Sequence, residues 1–366
     1  QSKYLPLILI LALSFSLLVF KNSTMPLFGV DEPRYAEAAR EMIERKDLIT
    51  PYLHYEPRYD KPILFYWEEI LSFKTFGLNE FAARFPSVLA GLGLIVLAFF
   101  LGGMQNLGAL TALIAASSFF LVVFSKLSIT DMSLNFFICA ALSFFAIGYQ
   151  NRASYKRIFA FKKKTSSKWF IASAVMMAFA FLCKGPVGVV LPELIILLFL
   201  WKENDLKRFF IDTQKELLWG FMVFVSIVLP WYLAVHFATD GKFTYEFFIH
   251  HNFERYTNTV SSHHGPFWFY LPTIAASLFP WSFFLPQSIW KALTESSSRL
   301  NSKEGAAKFL DNFCLIWIFV VFIFFTVAST KLVTYILPIY LPSCFLIAKW
   351  WTGKFDVSKT FLLKNN

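Results

Sequence analysis

The sequence predicts an all-α polytopic membrane protein: a bundle of about ten transmembrane helices, with amphipathic helices in its first outer loop. Three observations predict it. Of the 366 residues, 57% are hydrophobic and only 16% charged, against about 25% charged in an ordinary soluble domain. Many apolar stretches approach or exceed the roughly 18 residues that cross a bilayer. Lysine and arginine, finally, fall on alternate connecting segments.

The expected spans are 4–20, 81–101, 108–123, 132–150, 169–183, 186–201, 217–237, 267–290, 310–328 and 335–351. No Ala-x-Ala cleavage pattern follows the first, which therefore reads as an anchor. With the N-terminus in the cytoplasm, segments 151–168, 202–216 and 291–309 and the tail after 351 hold over half of the 34 basic residues. The positive-inside rule makes those segments cytoplasmic. The net charge of +10 is thus a topology signal, and no nucleic-acid partner is expected. Cys139, Cys183, Cys314 and Cys344 sit in or beside apolar runs without a CxxC pair. They read as small buried hydrophobes.

The opposite, outer side holds the loops 21–80, 124–131, 238–266 and 329–334, and nearly every unusual polar residue falls there. In 30–47, Tyr35, Ala38, Ala39, Met42 and Ile43 recur at helical spacing, opposite charges that include a Glu41–Arg45 pair. Pro33 suits the first helical position, making this a short amphipathic helix on the membrane surface. Asp31 and Glu32 precede it, and two adjacent acids are more than a cap needs. Tyr59-Asp60-Lys61-Pro62 opens a second helix, with Gly77 at its end. Lys61 opposes the macrodipole there, which points to an anionic ligand.

Asp131 stands between two apolar spans, either as a helix cap or as a second carboxylate of a site. Lys184 precedes a Gly-Pro turn, and Lys331 sits among Ser329, Thr330 and Thr334 beside Tyr335. Each lysine either snorkels to the interface or seats an anion. His250, His251, His263 and His264 cluster in the 238–266 loop in no zinc-like spacing, beside Asn252 and Arg255. Together these residues give one face with Lys61, Lys184, Arg255 and Lys331 around Asp31, Asp60 and Asp131.

In order along the chain stand Asp31-Glu32-Pro33-Arg34-Tyr35, Tyr59-Asp60-Lys61-Pro62 and Lys184-Gly185-Pro186. His264-Gly265-Pro266-Phe267-Trp268-Phe269-Tyr270 and Lys331-Leu332-Val333-Thr334-Tyr335 follow. As an ordered set they closely resemble the bacterial membrane glycosyltransferases related to protein O-mannosyltransferases. The likeness is strongest to the subgroup that includes 4-amino-4-deoxy-L-arabinose lipid A transferases, and it runs from residue 1 to about 345.

The resemblance implies a GT-C fold in the bacterial inner membrane, with the active site on its extracytoplasmic face. The donor would be a polyprenyl-phosphate sugar and the acceptor a lipid such as lipid A, a glycan or a protein. No nucleotide cofactor would be used. Asp31 matches the catalytic acid. Glu32, Arg34, Tyr59, Lys61, Asp131, Lys184, Arg255, Lys331 and Tyr335 fall at or near substrate-binding positions. Asp60 and His264 match a divalent-metal pair found in some relatives. The transmembrane domain would span 1–351 and a cytoplasmic tail 352–366, without the relatives' usual C-terminal region. A transporter or flippase of an anionic lipid is the rival reading, and a non-catalytic assembly subunit a further one. The absence of a visible repeat and the one-sided polar cluster favour the enzyme.

Overall fold

The computed structural model describes residues 4–158, 167–249, 265–295 and 303–354. It is a helical bundle whose strands, among those residues, are one two-residue pair. Five of the described helices are long and apolar enough to cross a membrane: Glu80–Gly103, Thr130–Arg152, Gln214–Ala238, Lys308–Val327 and Val333–Lys354.

The chain enters through α1 (Leu5–Val19) and runs into α2 (Asp31–Arg45). The helix begins two residues earlier than expected, so Pro33 occupies its third position; the missing N–H is one that the first turn leaves unpaired anyway. Tyr35, Ala38, Ala39 and Met42 are buried as the spacing predicts, but Glu41 is buried too and accepts the Tyr55 N–H at 2.8 Å. The expected Glu41–Arg45 pair is replaced by Arg40 bridging Glu37 and Glu44. Arg45 instead lies over the Tyr52 ring and bonds the Tyr55 carbonyl. The strands β1 (Tyr52–Leu53) and β2 (Glu56–Pro57) form a hairpin turned by His54 and Tyr55, both at positive φ.

α3 (Leu64–Phe76) stops at Gly77, whose φ is +81. Asn79 then caps α4 (Glu80–Gly103) by accepting the Ala82 N–H at 2.9 Å. The 108–123 span is broken in two, α5 (Gly108–Ala116) and α6 (Phe119–Phe124). Ser117 and Ser118 turn their hydroxyls back onto the Leu113 and Ile114 carbonyls. The Phe119 N–H bonds the Phe279 carbonyl, and the Trp281 indole bonds the Ser117 hydroxyl.

α7 (Thr130–Ile158), α8 (Ser167–Lys184) and α9 (Val187–Lys202) pack side by side. Gly185, at φ +81, lets the chain reverse between α8 and α9. Gly188 admits the close approach: a Cβ there would stand 2.5 Å from the Ala180 backbone. α10 (Leu206–Asp212) leads to α11 (Gln214–Ala238), whose apolar window is only 22% buried, so this helix lies on the outside of the described bundle. α12 (Lys242–Tyr245) follows.

The 267–290 span is also broken. Pro272, Pro280 and Pro286 divide it into α13 (Tyr270–Ser277), a 3₁₀ turn (Trp281–Phe284) and α14 (Leu285–Glu295). The two interrupted segments are thus joined at their breaks by the Phe119–Phe279 backbone bond and the Trp281–Ser117 side-chain bond. α15 (Lys303–Val327), a 3₁₀ turn (Val333–Ile339) and α16 (Tyr340–Lys354) complete the bundle.

Two apolar clusters hold these elements. The larger fills the bundle around Phe145, Phe199, Phe313 and Trp317, with Cys139, Cys183, Cys314 and Cys344 free and buried as expected. The smaller packs Tyr35, Met42, Phe65 and Tyr66 against Trp231 and Phe243, fastening α2 and α3 to α8, α11 and α12.

Candidate active site

The sequence places Asp131 and Lys184 53 residues apart; the packing of α7 on α8 brings their side chains to 2.6 Å. The ammonium of Lys184 also lies 4.9 Å from the centre of the Tyr335 ring, and the Thr334 hydroxyl bonds Asp131. Asp60, Lys61 and Asn135 join them around a cavity of about 390 Å³. Beside these polar groups its lining holds the apolar side chains of Ile138, Val190, Phe247, Phe248, Phe324 and Phe325. Lys61 is buried, and its ammonium donates to the Asp60 carbonyl at 3.0 Å. The lysine that opposed its helix dipole is therefore a cation turned toward a cavity.

Arg58, which the sequence reading missed, organises the rim. It clasps both Asp60 oxygens (2.5 and 2.8 Å), donates to the Arg34 carbonyl and lies over the Tyr35 ring. Burial, and after it the charge of Asp60, pushes the Tyr35 hydroxyl well above its ordinary pKa, so it stays protonated. Arg58 thus answers the charge of Asp60 through both of its oxygens and leaves each a further acceptor site. No group of three His, Cys, Asp or Glu side chains gathers to hold an ion among the described residues. His264, with His250, His251, His263, Asn252 and Arg255, lies outside the described residues.

Asp31 heads α2, exposed, with no side-chain hydrogen bond or ion pair among the described residues. Its neighbour Glu32 is the opposite case. Glu32 is buried against Arg84, accepting from its Nε and a terminal nitrogen, both at 2.9 Å. It also accepts the N–H groups of Phe28 and Ser128, at 3.0 and 2.7 Å. Arg84 in turn donates to the carbonyls of Asn22, Met25 and Pro26. With four donors on two oxygens, Glu32 has no acceptor site left for a substrate. It holds the loop that delivers Asp31.

Lys331 is not among the cavity residues either. Its ammonium donates to the carbonyls of Thr326 and Ala328 at the end of α15, at 2.6 and 2.9 Å. Burial lowers its pKa. Arg34 lines a separate groove of about 460 Å³ with Leu27, His54 and Phe73, and Tyr59 packs edge-on against Phe243. So the structure gathers Asp60, Lys61, Asp131, Lys184 and Tyr335 around the cavity, and Asp31, Glu32, Arg34, Tyr59 and Lys331 are not among its lining residues.

Besides Arg58, the sequence reading passed over Arg84, Glu68, Glu69 and Asn135. An arginine inside the 81–101 span and two acids inside the apolar run after Pro62 were the available signals. Asn135 gave none, being one amide in a polar-tolerant helix end.

A membrane bundle with a cavity lined by paired lysines and aspartates at the start of α7, and a carboxylate-headed helix α2, has the architecture of the GT-C membrane glycosyltransferases. The chain belongs to the dolichyl-phosphate-mannose-protein mannosyltransferase family, whose model matches residues 5–245. It is 31% identical over 347 residues to the undecaprenyl phosphate-alpha-4-amino-4-deoxy-L-arabinose arabinosyl transferase of Pectobacterium atrosepticum, covering 93% of this chain and 58% of that protein. An uncharacterised protein of Aquifex aeolicus is 30% identical, over 95% of this chain and 74% of its own. Among solved structures, ArnT from Cupriavidus metallidurans bound to undecaprenyl phosphate superposes with a TM-score of 0.79 at 25% identity, over 95% of this chain and 60% of that one. An archaeal oligosaccharyltransferase from Archaeoglobus fulgidus shares the fold, with a TM-score of 0.68 at 14% identity over 99% of this chain and 51% of that one. The chain spans about three fifths of the length of the curated relatives it first matches.

Proposed function

We propose that this protein transfers a sugar from a polyprenyl-phosphate donor to an acceptor lipid, lipid A being the acceptor that the arabinosyl transferase relatives suggest. In this reading the site faces the extracytoplasmic side of the inner membrane, which the positive-inside assignment of the basic segments to the cytoplasm supports. The observation that carries the reading is the cavity joining Lys61 and the Lys184–Asp131 pair to an aromatic wall. A polyprenyl phosphate has that duality, and the related ArnT binds undecaprenyl phosphate.

In this reading the isoprenoid tail lies against Phe324, Phe325 and Val190, and the phosphate meets Lys61 and Lys184. The acceptor oxygen attacks the anomeric carbon as the bond from that carbon to the phosphate oxygen breaks. The bonding pair leaves with the phosphate, where the two ammonium groups stabilise it. Asp131 keeps Lys184 in place. Asp31 orients the acceptor and takes its proton where the acceptor is a hydroxyl; where it is a phosphate, Asp31 only positions it. Attack opposite the leaving group inverts the anomeric carbon.

The test is transfer by the purified chain in detergent, supplied with a panel of polyprenyl-phosphate sugars and membrane-lipid acceptors, beside an Asp31→Asn variant with an unchanged melting curve. Transfer that collapses in the variant supports the reading. Equal transfer removes Asp31 from the chemistry.

A further inference from the structure

We propose that Glu69 is a positioning residue for the transfer: through Ser128 it fixes Glu32, and with Glu32 the Asp31 carboxylate at the head of α2. The proposal rests on the role of Asp31 argued above.

The problem it solves is local. α2 has no side-chain cap, since its N-cap is Val30, and nothing among the described residues bonds the Asp31 carboxylate. What holds this end of the helix is the next residue, Glu32. Its carboxylate ties together three segments: the loop at 22–28 through Phe28 and Arg84, α4 through Arg84 itself, and the 125–129 connection through the Ser128 N–H.

Ser128 is fully buried, and its hydroxyl donates to Glu69 Oε1 at 2.5 Å. Glu69 sits inside α3, equally buried, and its other oxygen has no hydrogen-bond partner. A carboxyl in an apolar helix costs folding free energy, and a leucine there would not. Among the described residues the hydrogen-bond partner of Glu69 is Ser128, and the N–H of that same serine is bonded to Glu32. Burial holds the Glu69 carboxyl well above its usual range, so it is the neutral acid that accepts from Ser128. A glutamine presents the same carbonyl oxygen in the same place.

The chain Glu69–Ser128–Glu32 therefore sets where the Asp31 carboxylate stands, without Glu69 touching substrate. A displacement of about 1 Å in such a group is enough to slow a reaction a hundredfold.

The experiment uses the whole chain in detergent, with Glu69→Ala, Glu69→Gln, Ser128→Ala and the Glu69→Ala/Ser128→Ala double variant. Transfer kinetics are read beside hydrogen–deuterium exchange of the peptides holding Phe28 and Ser128, whose amides Glu32 accepts. The expected result is a kcat lower by about tenfold in Glu69→Ala with the donor KM unchanged, and faster exchange at both amides. Ser128→Ala should match it, the double variant should be no worse than either single, and Glu69→Gln should restore both readouts.

Unchanged kcat and exchange in Glu69→Ala would overturn the proposal. So would a loss that glutamine shares, or one that appears in the donor KM. If the wild type transfers nothing, the enzymatic reading fails by itself, and the exchange arm still decides whether Glu69 holds this segment.

Discussion

The two ends of α7 use the same residue types for opposite purposes. Asp131 lies at its start and Arg152 21 residues on, roughly 30 Å away at 1.5 Å per residue. At the Arg152 end the described buried charges pair with one another. Arg152 bridges Asp205 and Asp212, the Tyr149 hydroxyl bonds Asp205, and Lys349 meets Asp311 at 2.5 Å. At the Asp131 end the ion pair opens on a cavity, Lys61 adds a second ammonium, and Asp31 stands exposed close along the chain to a Glu32 that is fully bonded. A charge whose partners are all protein groups stabilises the bundle; a charge left open to a cavity is available for chemistry.

Substitutions at the two ends should therefore separate activity from stability. The largest effect is expected at Asp31. Asp31→Asn should slow transfer to a hydroxyl acceptor by roughly 100-fold or more, the usual range for a general base, while its melting temperature stays at the wild-type value. Arg152→Met should do the reverse. It leaves Asp205 and Asp212 without their shared partner, and breaking a partly buried pair of this kind costs about 3 kcal/mol. Its thermal midpoint should fall by several degrees, with kcat unchanged in the fraction that remains folded. A stable but inactive Arg152→Met would break the comparison.

Lys184→Ala sharpens it, because this lysine belongs to both classes. It partners Asp131 and it faces the cavity. A lost charge-assisted contact to the donor phosphate is worth about 1.5–3 kcal/mol, so donor affinity should drop about tenfold or more. The same variant strands Asp131 as an unpaired charge. Adding Asp131→Asn should recover stability and leave donor affinity low. Recovery of both would mean that Lys184 serves only its ion pair.

How much of this was legible in the sequence follows from which forces act locally. Apolar length placed most of the helices, and Gly77 and the Gly185-Pro186 turn marked their ends, because those signals depend on a few adjacent residues. The breaks in 108–123 and 267–290 were misread as unbroken spans. Hydropathy registers composition, whereas the breaks rest on prolines and on a bond from Phe119 to Phe279 that no local window contains. The site shows the same division. Asp60, Lys61, Asp131 and Lys184 stood out as charges in apolar surroundings, but that alone could not tell Asp131 the open pair from Glu32 the closed one. The difference lies in Arg84 and Ser128, 52 and 96 residues away from Glu32.

The smallest expected effect tests whether a carboxyl near the open end behaves as a buried acid. Burial raises Glu68 to about 7, opposed only in part by the Ser133 hydroxyl that bonds it at 2.6 Å. An unfolded glutamate titrates near its ordinary value, roughly 4.3. Between those two values the folded protein holds a proton that the unfolded chain has released. Raising the pH through that window therefore favours unfolding, and the decline levels off above about 7. Wild type should lose thermal stability as pH rises from 5 to 8, and Glu68→Gln should flatten the part of that slope centred below neutrality. The part due to Glu69, which burial raises in the same direction, should persist. A wild-type stability that rises over this range would mean that Glu68 is ionised and solvated in the folded protein.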